Sequence, residues 1–142
     1  LCATPATISS EIYQNAFRMI GRDIRAIPVP GLAGAIEFGK TDAEVDEAIR
    51  AAFADIDPNS FDVLVLACTH YPFAIASFKR VLGDIKLFDP ALAVAARVEK
   101  QFWPREVGDG TSKFMVSAES AQFRHLVDQF FPGMKYEFEI TG

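Results

Sequence analysis

Residues 63–68, Val-Leu-Val-Leu-Ala-Cys, form an unbroken apolar run that ends on a thiol. The run is far too short to span a bilayer. With the preceding Phe61, it is expected of a strand buried on both faces of a parallel sheet, so we predict a strand at residues 61–67. The run therefore favours an α/β fold over a helical bundle or an antiparallel sheet.

Strand-like and helix-like segments alternate along the rest of the chain. This alternation predicts a doubly wound α/β fold with a mainly parallel sheet. The clearest helix starts at Thr41, because Thr41 and Glu44 have the spacing of a capping box. The predicted strands lie at 23–29, 61–67, 86–88, 113–117 and 136–140, with a strand end opening the chain. The predicted helices lie at 11–21, 41–54, 73–82, 91–102 and 118–131, and residues 104–112 are a predicted polar loop.

Composition narrows the class of protein. The chain has 142 residues, 50% of them apolar, and a net charge of −5 without a basic cluster. A globular domain is therefore expected, and nucleic acid is not an expected partner. The two cysteines have neither CxxC nor zinc-site spacing, which predicts no metal site and indicates a reducing compartment. The start at Leu1, without Met, is interpreted as the cut end of a longer protein rather than as its biological N-terminus.

Cys68 carries the strongest chemical signal. Cys68 lies at the carboxyl end of a predicted strand, and a predicted helix follows it. Open α/β sheets bind ligands at the carboxyl ends of their strands. The positive end of a helix dipole favours the ionised thiolate, and His70 is near enough in sequence to exchange a proton with it. From position alone, an inert core thiol is an equally good interpretation.

Residues 68–72, Cys-Thr-His-Tyr-Pro, closely resemble the second catalytic-cysteine motif of glutamate racemases. Residues 3–13 resemble the Ala-Thr-x-Gly-Thr-x-x-Ser-x-x-Tyr stretch that opens the second half of those enzymes, with Ala6 in place of the usual Gly. Weaker similarities are Ala-Ile-Pro at 26–28, with Glu37 and Gly39 downstream, and the strand-and-turn sequence at 86–91. In the first of these, Ile27 stands where Cys is common. The resemblance covers nearly the whole chain.

This resemblance implies a cofactor-independent racemase that inverts glutamate with two cysteines on opposite faces of the α-carbon. It implies that Cys68 and His70 are catalytic, with Cys68 serving the L-enantiomer, and that Thr69, His70, Thr4 and Thr7 bind substrate. No cofactor or metal is expected. The implied architecture has two lobes, with residues 1–89 forming most of the second and residues 90–142 returning to a first lobe that is largely missing.

The resemblance does not extend to the family's first half, with its Asp-Ser loop and first catalytic cysteine. Cys2 is interpreted as a core residue, because it lies inside the predicted strand before Thr4. We therefore expect the 142-residue chain to be inactive by itself. The implied setting is the cytoplasm, where D-glutamate is supplied for peptidoglycan, and a homodimer is left open.

Three alternatives stay open. The enzyme could be another amino-acid racemase, such as one for aspartate, or the chain could be a non-catalytic binding or structural domain. Thr4 and Thr7 could be turn or capping hydroxyls. The other polar candidates, Asp89, Glu119 and His125, are more simply solvated or capping groups.

Overall fold

The computed structural model describes residues 1–102 and 111–141. The chain divides into two compact units, Leu1–Arg97 and Val98–Gly142. Most of the predicted polar loop at 104–112 lies outside the described residues. The two-lobe assignment of residues 1–89 and 90–142 stays a prediction.

The first unit contains four short strands that join into one parallel array. The strands are β1 (Cys2–Ala3), β2 (Ile27–Pro28), β3 (Val63–Val65) and β4 (Lys86–Phe88). β1 pairs with β2 and β3 pairs with β4, both in parallel. A parallel bridge between Cys2 and Leu66 joins the two pairs, supported by a 2.9 Å hydrogen bond from the Ala67 N–H to the Cys2 carbonyl. The strand order is therefore β2-β1-β3-β4, which confirms the predicted parallel α/β arrangement.

Helices separate the strands in the order that the sequence alternation predicts. They are α1 (Pro5–Ser9), α2 (Ile12–Met19), α3 (Leu32–Glu37), α4 (Asp42–Ala52), α5 (Ile75–Leu82) and α6 (Ala91–Phe102). Two 3₁₀ turns, Pro58–Ser60 and Tyr71–Ala74, precede β3 and α5 respectively. The division between the two units falls inside α6.

The predicted capping box at the start of α4 is present. The Glu44 N–H donates to the Thr41 hydroxyl, and the Glu44 carboxylate accepts from the Thr41 N–H at 2.9 Å. Val45 and Ile49 then face inward and join the main core. This core also holds Cys2, Leu32, Leu64, Leu66, Tyr71 and Phe78, each almost fully buried. Burial of this apolar set is the main force holding the strands and helices of the first unit together.

Several predicted boundaries are wrong. α1 was predicted as strand and turn, yet Thr4 caps a helix whose first residue is Pro5, a position where proline's fixed φ suits a helix. The predicted helix at 11–21 contracts to α2, which begins after Glu11, a residue in the left-handed backbone conformation. α3 was not predicted, because Pro28, Pro30 and Gly31 indicate a loop.

Two strands and one helix also differ from the predictions. The strand at 23–29 contracts to Ile27–Pro28, and the strand at 61–67 to Val63–Val65 with the bridge at Leu66. Val63 is exposed, so β3 is not buried on both faces along its whole length. The helix predicted at 73–82 begins instead as the 3₁₀ turn at Tyr71–Ala74.

The second unit pairs two strands in parallel across a helix. Its elements are β5 (Ser112–Val116), α7 (Ala121–Phe130) and β6 (Tyr136–Ile140), close to the predicted segments. Aromatic rings fill the space between α7 and the strands. They are Phe114, Phe123, Tyr136 and Phe138, with ring centroids 5.2–5.8 Å apart. Such stacked and edge-to-face pairs stabilise beyond their buried area.

Within residues 1–102 and 111–141, no helix has the length and apolar character needed to cross a lipid bilayer. The same residues contain no group of three or more His, Cys, Asp or Glu side chains placed to hold a metal ion.

Candidate active site

Cys68 lies three residues beyond the end of β3, at the carboxyl edge of the sheet. Its side chain is half-buried and contacts the edge of the main core. The turn that follows is closed by a 3.1 Å hydrogen bond from the Tyr71 N–H to the Cys68 carbonyl. The thiol is therefore neither sealed in the core nor free in solvent, and the turn fixes its backbone.

His70 lies beside the thiol. Its Nδ1 atom lies 4.0 Å from Cys68 Sγ and 3.5 Å from the Thr69 hydroxyl. Residues 68–70 thus bring three polar side chains together within a single turn. The structure therefore brings the predicted residues Cys68, Thr69 and His70 together.

Glu37, at the end of α3, contacts the opposite side of the imidazole. Its Oε2 atom lies 3.6 Å from His70 Nε2, and both side chains are partly exposed. Glu37 was noted in the sequence only as part of a weak motif and was not predicted as a site residue. The contact arises because α3 brings its last residue next to the turn after β3.

The two ring nitrogens of His70 therefore have different neighbours, the thiol beside Nδ1 and the carboxylate beside Nε2. A carboxylate beside Nε2 favours a proton on that nitrogen, which leaves Nδ1 with a lone pair facing the thiol. Nδ1 can then accept a proton from Cys68, and the imidazolium that forms has a carboxylate on one side and a thiolate on the other. The arrangement therefore places an imidazole nitrogen that can act as a proton acceptor beside the Cys68 thiol.

Thr4 and Thr7 come together at the end of the neighbouring strand. Their hydroxyl oxygens are 2.9 Å apart, and the Thr7 N–H donates to Thr4 Oγ1 at 3.4 Å. Thr4 is thus the N-cap of α1, as the alternative interpretation predicted. A capping hydroxyl can still accept or donate a further bond to a ligand.

The sheet order places the threonine pair and the turn that holds Cys68 at the same edge of the sheet. The chain leaves β1 toward β2 on one side and leaves β3 toward β4 on the other, so the order reverses between β1 and β3. Open α/β sheets bind ligands at such a switch point, outside the carboxyl ends of the strands. Thr4 follows β1 and Cys68 follows β3, so both lie at that edge.

Cys2, in contrast, is a core residue, as predicted. Its side chain is fully buried, and its sulfur contacts the Val65 carbonyl at 3.7 Å. Burial raises the pKa of the Cys2 thiol to about 12, with a smaller opposing contribution from a backbone hydrogen bond. Cys2 therefore stays a neutral thiol at physiological pH and is not an acid–base group.

The remaining polar candidates have local roles. Asp89 accepts from the Ala91 N–H at 2.9 Å, as a turn residue at the start of α6. Glu119 pairs with Arg124, and His125 is exposed on α7. None of them lies in the turn that holds Cys68.

One apolar cavity of about 150 Å³ lies at the opposite edge of the sheet. Its lining includes Leu1, Ile27 and Val63, which lie at or before the amino ends of their strands. Among the described residues, Arg25 is the one charged side chain in that lining, and no second polar side chain joins it there. We therefore assign the candidate site to the carboxyl edge of the sheet, where several polar side chains meet.

Comparison with known proteins points to one enzyme family. The chain is 34% identical over 139 residues to a glutamate racemase from Cereibacter sphaeroides, in an alignment covering 92% of this chain and 51% of that protein. It is 39% identical over 98 residues to one from Lactobacillus helveticus, covering 67% and 37% of the two chains. The chain is homologous to the glutamate racemases. No protein-family model matches it.

Solved structures agree on the fold. A glutamate racemase from Francisella tularensis, crystallised in complex with D-glutamate, matches with a TM-score of 0.84 at 24% identity. A glutamate racemase isoform from Bacillus anthracis, RacE1, matches with a TM-score of 0.79 at 19% identity. Each comparison covers 99% of this chain and 56% of the other. The racemase resemblance and the partial α/β racemase fold predicted from sequence are thus confirmed, and the chain spans about half the length of its racemase relatives.

Proposed function

We propose that this chain is the second half of a glutamate racemase and that Cys68 is one of its two acid–base groups. The observation that carries the proposal is the position of Cys68 Sγ, 4.0 Å from His70 Nδ1 at the switch point of the sheet. Homology to glutamate racemases supplies the reaction, and the half-buried thiol supplies a group able to perform one half of it.

In the proposed step, the Cys68 thiolate takes the α-hydrogen of L-glutamate as a proton. The S–H bond forms while the Cα–H bond breaks, and the electron pair stays on the α-carbon. An acid on the opposite face then delivers a proton to that carbon and completes the inversion. In the reverse direction the Cys68 thiol is the donor. His70 holds the proton that Cys68 gives up on becoming a thiolate, and Glu37 orients the ring.

Substrate binding is assigned to the hydroxyls and backbone around the crevice. Thr4 and Thr7 lie at the carboxyl end of β1, where they can donate hydrogen bonds to a carboxylate of the substrate. Thr69 and His70 flank the thiol on the other side of the switch point. The α-carbon of the bound glutamate would then lie between the segment after β1 and the turn after β3, with Cys68 on one side of it.

The opposite face needs a second acid–base group, which we place in the half of the enzyme that this chain does not span. Cys2 cannot serve, because it is fully buried and stays neutral. We therefore propose that the 142-residue chain does not racemise glutamate by itself. The proposed setting is the cytoplasmic supply of D-glutamate for peptidoglycan, without a cofactor.

The direct test is racemisation followed by circular dichroism. The complete gene product is expected to convert L-glutamate to D-glutamate and to act on aspartate far more slowly. Faster turnover of aspartate would assign the protein to a different amino-acid racemase. Inactivity toward both amino acids would instead favour a non-catalytic binding domain. Activity of the isolated 142 residues that is lost in Cys68→Ser would contradict the need for a second half.

A further inference from the structure

A buried hydrogen bond joins the turn that holds Cys68 to Val29, the residue that follows β2, two strands away from β3 in the sheet. The Tyr71 hydroxyl donates to the Val29 carbonyl at 3.2 Å, and the tyrosine is completely buried. Its ring lies against Phe78, with centroids 6.0 Å apart. The phenol is thus the polar end of a side chain otherwise held by apolar contacts in the main core.

Tyr71 connects two parts of the candidate site. Its own N–H donates to the Cys68 carbonyl at 3.1 Å, which closes the turn at residues 68–71. Val29 is held in place by a 2.9 Å hydrogen bond from its N–H to the Ala3 carbonyl, and the chain runs from Val29 into α3. α3 ends at Glu37, which contacts His70.

Besides their apolar packing, the turn and the β2–α3 segment share two polar contacts, one exposed and one buried. The contact between Glu37 and His70 is partly exposed and is weakened by solvent. The bond between Tyr71 and Val29 is buried, where an unmade hydrogen bond is costly and the geometry is therefore strongly fixed. Burial also raises the pKa of the Tyr71 phenol, so the hydroxyl remains a neutral donor throughout the physiological range.

We propose that Tyr71 is a positioning residue whose hydroxyl sets the placement of Cys68 and His70 relative to Glu37. The proposal rests on the proposed racemase function for its kinetic consequences only. Without the hydroxyl, the turn loses its buried connection to Val29 and can shift by a fraction of an ångström. Such a shift changes the distance from His70 Nε2 to Glu37 Oε2, which is 3.6 Å, and so weakens the hold of Glu37 on the ring that lies beside Cys68.

The test compares Tyr71→Phe with Phe78→Leu in the complete gene product. Tyr71→Phe keeps the ring that packs against Phe78 and removes only the hydroxyl, whereas Phe78→Leu removes core volume and keeps the hydroxyl. For Tyr71→Phe we expect kcat for glutamate to fall about tenfold with KM nearly unchanged. For Phe78→Leu we expect a lower melting temperature with kcat near that of the parent.

A second readout does not depend on racemisation. We expect Tyr71→Phe to slow alkylation of Cys68 by iodoacetamide near neutral pH by about threefold, because His70 no longer supports the thiolate as well. Glu37→Gln, which removes the exposed connection without touching the core, should slow alkylation in the same direction. If the gene product does not racemise glutamate, the proposed function fails, and alkylation still decides the role of Tyr71.

Two results would overturn the positioning role. One is an alkylation rate and kcat in Tyr71→Phe that equal those of the parent. The other is a loss in Tyr71→Phe that Phe78→Leu reproduces in proportion to its drop in melting temperature, since that loss would reflect stability alone.

Discussion

His70 presents Nδ1 to Cys68 Sγ at 4.0 Å, within the turn that follows β3. The other ring nitrogen contacts Glu37, so the imidazole lies between a thiol and a carboxylate. In the proposed mechanism the imidazole accepts the proton of the thiol, and the carboxylate orients the imidazole. Each of these contributions can be tested separately.

The two cysteines should differ sharply in reactivity. Cys68 is half-buried beside an imidazole, whereas Cys2 is fully enclosed and its pKa is raised by burial. Iodoacetamide near neutral pH should therefore modify Cys68 first, with Cys2 reacting only as the protein unfolds. Mass spectrometry of peptides from the complete gene product identifies the labelled site. Glutamate should protect Cys68, and labelling of Cys2 at an equal rate would contradict the assignment.

His70→Asn should lower kcat for glutamate by about 10²-fold, the usual contribution of a positioned acid–base group. KM should rise by a smaller factor than kcat falls, because Thr4, Thr7 and Thr69 keep their proposed contacts with the substrate. His125→Asn is the matched control, because His125 is exposed on α7 and should leave both constants unchanged. Steady-state kinetics by circular dichroism measures all three proteins. Equal kcat in the two variants would remove His70 from the mechanism.

Cys2 should make the protein less stable in alkali. Its folded pKa is raised from 9.0 to about 12, so its contribution is fully present below pH 9 and is lost as the pH rises toward 12. At about pH 10.5 this loss should be about 2 kcal/mol, since each pKa unit corresponds to about 1.4 kcal/mol. Tyr71, whose pKa is also raised by burial, acts in the same direction.

Urea unfolding of the parent and of Cys2→Ala measures this effect. The variant keeps Tyr71, so the difference between the two pH profiles isolates the Cys2 thiol. Cys2→Ala should start less stable near pH 7, because it leaves a small cavity, and should then lose less stability on going to alkali. Parallel profiles would show that the Cys2 thiol does not titrate with folding.

Local sequence patterns predicted the parts of the fold that local physics decides. The capping box at Thr41 and Glu44 and the apolar face of α4 need no tertiary information, and both are present. The apolar run ending at Cys68 likewise predicted a parallel strand that delivers the thiol to the sheet edge. The alternation of strand-like and helix-like segments was enough to predict the fold class.

Short and non-local features were not predictable in the same way. α3 follows Gly31, whose φ of +74° suits glycine, and its six residues are too few for a helical period to stand out against the loop signal of the two prolines. The contacts of Glu37 with His70 and of Tyr71 with Val29 join residues 33 and 42 positions apart. They depend on how α3 packs, which no local pattern encodes. The turn at residues 68–71 could be recognised from its motif, but its supporting contacts could not.

Exchange of the α-proton of glutamate with solvent deuterium reports proton transfer at the carbon itself, and so it tests whether Cys68 removes that proton. Proton NMR in D₂O should show the complete gene product replacing the α-hydrogen of L-glutamate. Cys68→Ser should reduce that rate by about 10²-fold or more, while Cys2→Ser, made in a thiol outside the site, retains exchange. Exchange at the parental rate in folded Cys68→Ser would contradict the account, because the α-proton would then be removed by a group other than this thiol.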